Sequence, residues 1–549
     1  MKKVLTELIV ISFLFTSQTT LKAQNKFGND HYNFIDVNEL KMWISNNGSS
    51  SHNQPADVGG LLWRSGIYPN SSLVFQSHIM WAGIIDREIL AGGGKISNGL
   101  QAGRILSQGK PDQTARQQNR VFKLTKDWKD LPAGELKSTY QKNFNEWPVE
   151  SGAPWIDKNN DGVFTREIDE PEIIGDEILW YVSNDLDTAR VSSSYGSFPI
   201  GIEVQTTVFA FNRTNVLGRT IFEKYKIINK SNKTVQKMYI GVLSDPDLGY
   251  LEDDYIGCDT LLNMAYCYNA DNNDNNNFKT NPPCIGYVLL QGPIVKSNSN
   301  KTAYINGRWL TDYENLGLKS FTYIIRPDFP IEQYHKDMEY FYLNGLQWNG
   351  NPIIDPLNNE VTHLSLAGDP VNKTGWFEGE GWPEGPEPGD RRMVLGTGPF
   401  NFAPGDTQEV VIATIVAQGK DNIDAITELK ADSRRIQYFY NGKTLPTNVE
   451  EENVIEGFSL SQNFPNPFNP STKIQISIPS VRANCSSPLQ IRIYDILGNE
   501  VAVMTKEIIN PGEYEIELDA EKYNLSSGVY FYQARIDDFI ATKKMCLIK

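Results

Sequence analysis

The segment Asp157-Lys-Asn-Asn-Asp-Gly-Val-Phe-Thr-Arg-Glu-Ile-Asp169 concentrates oxygen donors at a spacing that suits a hard cation. Asp157, Asn159 and Asp161 sit at alternate positions, Gly162 permits a sharp turn, and Val163 can offer its backbone carbonyl. A calcium ion takes six to eight oxygens at about 2.3–2.6 Å, so this set makes half of a shell for Ca2+. Asp169, or Glu167, would help close it. The competing reading is an Asx-rich turn whose side chains satisfy only their own backbone.

The opening of this segment resembles the calcium loops of EF-hand, dockerin and thrombospondin-type repeats. It departs from an EF-hand at Ile168, where that loop needs a bidentate Glu, and at Thr165. Its flanks, Ser151-Gly-Ala-Pro-Trp155 and Glu170-Pro171, do not read as paired helices. A second acidic stretch follows at residues 244–254. Asp245, Asp247, Asp253 and Asp254 there could hold another cation or form a solvated loop. The Asn/Asp run 269–277 reads as a solvated loop, because a packed core cannot use it.

Catalytic constellations are not visible. The 5 histidines show no H-E-x-x-H and no paired spacing for zinc. There is no G-x-S-x-G nucleophile elbow. Ala91-Gly-Gly-Gly94 lacks the spacing of a phosphate-cradling loop and reads as a turn. A glycosidase pair of carboxylates is defined by separation in space and cannot be assigned from spacing along the chain. All 11 tryptophans lie before residue 457, as core anchors or as sugar-stacking platforms.

Composition narrows the class further. A chain of 549 residues exceeds one core and implies several domains. The net charge of -16 argues against a nucleic-acid partner, which would need a basic face. Residues 457–549 are nearly neutral and the first residues are basic, so the acidity lies in the body between them. Lys2 and Lys3, the apolar run 8–15 and Ala23 read as a secretory signal peptide over 1–23. No window approaches the roughly 20 apolar residues of a membrane-spanning helix. Cys258, Cys267 and Cys284 could supply one disulfide or remain as buried thiols.

The elements that must position these residues are mostly strands. The 43 glycines and 29 prolines favour strands and turns. Alternation at Ile202, Val204 and Thr206, and the apolar runs 221–228, 235–243 and 409–416, predict antiparallel pairing in a sandwich. Helices are expected over 331–346, with Ile331, Tyr334, Met338 and Tyr342 on one face, and from Asp421 to about Tyr440. The fold class is mainly β: a sandwich-rich body over 24–440 with a few short helices, dividing into two subdomains near 190–200, then a linker over 441–456.

Residues 457–549 form an Ig-like antiparallel sandwich of their own, since 473–478, 489–493 and 513–518 each alternate apolar with polar. The stretches Phe458-Ser-Leu-Ser-Gln-Asn-Phe-Pro-Asn-Pro-Phe-Asn-Pro470, Leu525-Ser-Ser-Gly-Val-Tyr-Phe-Tyr532 and Thr542-Lys-Lys-Met-Cys-Leu-Ile-Lys549 resemble the type A C-terminal sorting domain of type IX secretion cargo in Bacteroidota-like bacteria. That resemblance implies recognition by the outer-membrane translocon, then release or retention at the cell surface. For the body two classes stay open: a non-enzymatic binding or structural module with calcium, or a secreted hydrolase acting on polysaccharide or peptide.

Overall fold

The computed structural model describes residues 30–64, 70–107, 109–112, 119–274, 277–297, 301–325, 336–442, 459–478, 489–496, 499–506, 512–536 and 539–548. The signal peptide, nearly all of the linker, and Ile331 and Tyr334 lie outside these residues.

Two large antiparallel sheets build the body, one of 10 strands and one of 9. Their facing side chains share one core. Ile79, Trp81 and Ile240 come from the first sheet, and Val204, Tyr225 and Ile285 from the second. Face-to-face packing of this kind defines a sandwich. Each sheet draws strands from both sides of residues 190–200. Glu177–Asn184 pairs with Ile202–Ala210 in one, and Gln76–Ile85 pairs with Val235–Asp245 in the other. The region expected as a subdomain boundary is therefore a helix, Thr188–Tyr195, inside one continuous architecture.

The strand expected to alternate, Ile202–Ala210, is buried along all of its 9 residues. The reason is a second covering on the outer faces. Helix Asn422–Tyr440 lays Ile426, Leu429 and Ile436 onto Phe222, Met264 and Ile415, with Asp421 accepting from the Asp424 amide as N-cap. Helix Glu135–Asn145 and Trp147 close the outer side of Phe122 and Trp180. Helix Lys336–Leu343 covers Met80, Tyr239 and Val394 with Met338 and Tyr342. A strand buried on both faces loses its polar side, so period-two patterning fades.

The tail packs a 3-stranded sheet against a 4-stranded one. Ile474, Ile476, Ile491, Ile493, Tyr532 and Leu547 make a core separate from that of the body. Its Pro-rich segment runs along the edges. Phe464 bridges to Lys473 and Phe468 to Leu547, and Phe468 is buried. Cys258, Cys267 and Cys284 are buried free thiols, which decides against a bridge among them. No described helix is long and apolar enough to cross a membrane.

Candidate metal centre

The loop at 157–169 is closed by a short ladder in which Trp155 faces Pro171 and Ile156 faces Glu170. Trp155 also meets Phe164 edge-on, with ring centroids 5.5 Å apart. Inside this hairpin the side chains organise the backbone. Asp157 accepts from the Gly162 amide at 2.8 Å, and Asp161 accepts from the Val163 amide at 2.7 Å. Asn159 donates to Asp161 at 2.8 Å. Gly162 adopts φ +75, the left-handed conformation that the turn needs.

Asp169 is the buried member, 3% exposed, and ties the loop shut. Its two oxygens accept from the Lys158 amide at 2.9 Å and the Thr165 amide at 2.7 Å. Val163 stands outward, 63% exposed. Each carboxylate oxygen carries a second lone pair, so these amide bonds leave acceptor capacity for a cation. The four loop carboxylates, Asp157, Asp161, Glu167 and Asp169, do not supply three that converge to the 4.8 Å spacing of a ready-made group. The donor types fit calcium, while the described arrangement is that of an Asx-stabilised turn.

The group that does converge lies elsewhere. One oxygen from each of Asp245, Asp247 and Asp390 falls within 4.8 Å of the others. Sequence spacing pointed to the first two. It missed Asp390, which only the pairing of strands Val235–Asp245 and Arg391–Phe402 brings alongside. Asp253 and Asp254 do not join this group. Asp254 is fully buried and accepts from the Leu248 amide at 3.1 Å. Burial pushes its carboxyl well above the usual range, with Asp253 and Asp247 adding to the rise. In the Asn/Asp run, Asp274 is also fully buried and accepts from the Phe278 amide at 2.6 Å, so that part of the expected solvated loop is a packed cap.

Among the described residues, no histidine joins a nucleophile-and-base pair. His78 is buried, and burial together with nearby Lys95 pushes it down to about 3. Lys95 sits 3.9 Å from Glu339 and bonds the Ser194 carbonyl at 2.7 Å, pinning helix Lys336–Leu343 to the sheet. His52 meets Asp57 at 3.2 Å, and no described Ser, Thr or Cys side chain hydrogen-bonds a histidine. An open cleft of about 610 Å³ is lined by Asn38, Glu39, Arg64 and Arg213, among others. Its one described carboxylate, Glu39, accepts from the Trp63 indole at 3.2 Å. Arg64 pairs with Asp36 and Arg213 with Asp176.

Comparison with known proteins places the tail. Residues 462–549 match the family described as a secretion system C-terminal sorting domain. This tail is a type IX sorting domain, and it directs the chain through that system to the cell surface or the medium. It thereby engages the type IX secretion machinery.

No curated protein matches the chain. Among solved structures, a polysaccharide lyase is similar at 10% identity and TM-score 0.19, over 72% of this chain and 39% of its own. The adhesin domain of Epf from Streptococcus pyogenes is similar at 9% identity and TM-score 0.16, over 67% of this chain and 89% of its own. Latent PorU from Porphyromonas gingivalis is similar at 13% identity and TM-score 0.14, over 60% of this chain and 25% of its own.

Proposed function

We propose that the body is a non-enzymatic binding module, delivered to the cell surface or the medium and steadied by calcium at the 157–169 loop. The observation that carries the binding reading is a filled sandwich whose open cleft presents one described carboxylate, Glu39, where a two-carboxylate glycosidase needs an opposed pair. Most tryptophans anchor the core, as Trp81, Trp147 and Trp180 do. Trp309 and Trp348 are 67% and 47% exposed and offer ring faces to an extracellular polymer such as a polysaccharide.

Calcium enters through Asp157, Asn159, Asp161, the Val163 carbonyl and Asp169, the donors that a hard cation selects. Closing the shell draws Asp161 and Asp169 towards Asp157, and this ties the hairpin to the ladder beneath it. Titrating the full chain with calcium chloride is expected to show that Asp157→Ala with Asp161→Ala binds one ion fewer than the parent. Equal stoichiometry in the two proteins would sink the loop as a calcium site. Incubation with polysaccharides and peptides is expected to give binding without cleavage products. New reducing ends or free amines would turn the reading to the hydrolase.

A further inference from the structure

We propose that Asp245, Asp247 and Asp390 form a second cation site, for a calcium-class divalent ion, at the end of the ten-stranded sheet. Oxygens bound to one cation at about 2.3–2.6 Å lie no more than about 5 Å apart. One oxygen of each of these residues already falls within 4.8 Å of the other two. The three carboxylates are therefore near enough to one another to share one ion.

The frame that holds them is rigid. Asp245 is the last residue of strand Val235–Asp245, opposite Gln76 of the neighbouring strand. Asp390 immediately precedes Arg391–Phe402, the strand on the other side. Asp247 follows two residues beyond Asp245, on the segment that leaves the sheet. Two of the three ligands are therefore fixed by adjacent strand ends.

A second observation points to a ligand. The Asp245 side chain is 4% exposed. Its Oδ2 accepts from Gln76 at 3.2 Å and meets Arg392 Nε at 3.1 Å, while its Oδ1 is buried and accepts no hydrogen bond. A buried carboxylate oxygen without a donor is costly, and a cation is one partner that offsets the cost. Arg392 also reaches Asp390 at 3.5 Å, so one guanidinium links two of the three carboxylates. Irregular carboxylate donors suit calcium's flexible shell, whereas magnesium demands near-octahedral geometry and retains water.

The test is isothermal titration of the full chain with calcium chloride, and in parallel with magnesium chloride. It uses the parent, Asp157→Ala/Asp161→Ala, Asp247→Asn, and the triple variant. Asp247 is half-buried and ends no strand, so the Asn variant keeps the sheet; circular dichroism without calcium checks this. The double variant is expected to retain one calcium, and adding Asp247→Asn weakens that ion by roughly tenfold or more through loss of one ligand charge. Complete loss of binding in the double variant overturns this site and leaves the loop. If the parent and the double variant bind the same single ion and Asp247→Asn removes it, the loop is overturned and this site is supported. Unchanged affinity with Asp247→Asn, or magnesium binding as tightly as calcium, overturns the proposal.

Discussion

The body and the tail are both antiparallel sandwiches, yet they show their purpose to different degrees. The tail is thin. Strand Leu489–Tyr494 alternates buried and half-buried residues along its length, with one face in the core and one towards solvent. Strands of the body such as Glu177–Asn184 are buried throughout, because helices cover the sheets from outside. A one-core sandwich keeps its sequence pattern, and a covered one gives up pattern for mass. The same difference sorts polar groups. The tail's ion pair Lys473–Glu515 lies on an exposed face, whereas the body buries Arg391 against Glu378 at 2.7 Å, with side chains 2% and 1% exposed.

The comparison can be broken most decisively at export. Deleting residues 457–549 is expected to abolish delivery and leave the body folded in the periplasm, read by fractionation and immunoblot. The truncated chain appearing in the medium at the parent's level would separate the tail from the route.

The two cores should also fail independently. Removing the Arg391 side chain leaves Glu378 as an uncompensated buried charge, so Arg391→Ala should cost the body about 3–5 kcal/mol. Ile491 is fully buried in the tail, and Ile491→Ala should cost that domain about 2–5 kcal/mol. Calorimetry of the full chain is expected to show each variant lowering a different transition. If either variant shifted both transitions alike, the two regions would be one cooperative unit.

A smaller effect sharpens the contrast in polar burial. Glu223 lies between the two sheets of the body, where Tyr225 donates to it at 2.7 Å. Burial raises its carboxyl above the usual range, with the Tyr225 and Ser50 hydrogen bonds opposing the rise. The folded state therefore prefers the protonated form. Its stability contribution is whole below the ordinary carboxylate value and is lost as pH climbs through the raised one. Glu223→Gln should melt above the parent at pH 8, with the gap closing towards pH 4. A gap that widens on acidification would contradict a neutral Glu223.

Much of this was legible in the residues. The alternation at 473–478 and 513–518, the apolar run 221–228 and the Asp421 cap each report a local preference that the structure keeps. So did the route, because the sorting tail is read along the chain. Tertiary structure alone decided the rest. Helix Glu135–Asn145 carries a weak apolar face and exists because Tyr140 packs against Phe122 and Trp147. The continuity of both sheets across 190–200 depends on pairings between strands far apart in the chain. The convergence of Asp390 on Asp245 and Asp247 has the same origin. Local spacing fixes which donors a turn can offer, but only strand pairing brings distant carboxylates within reach of one ion.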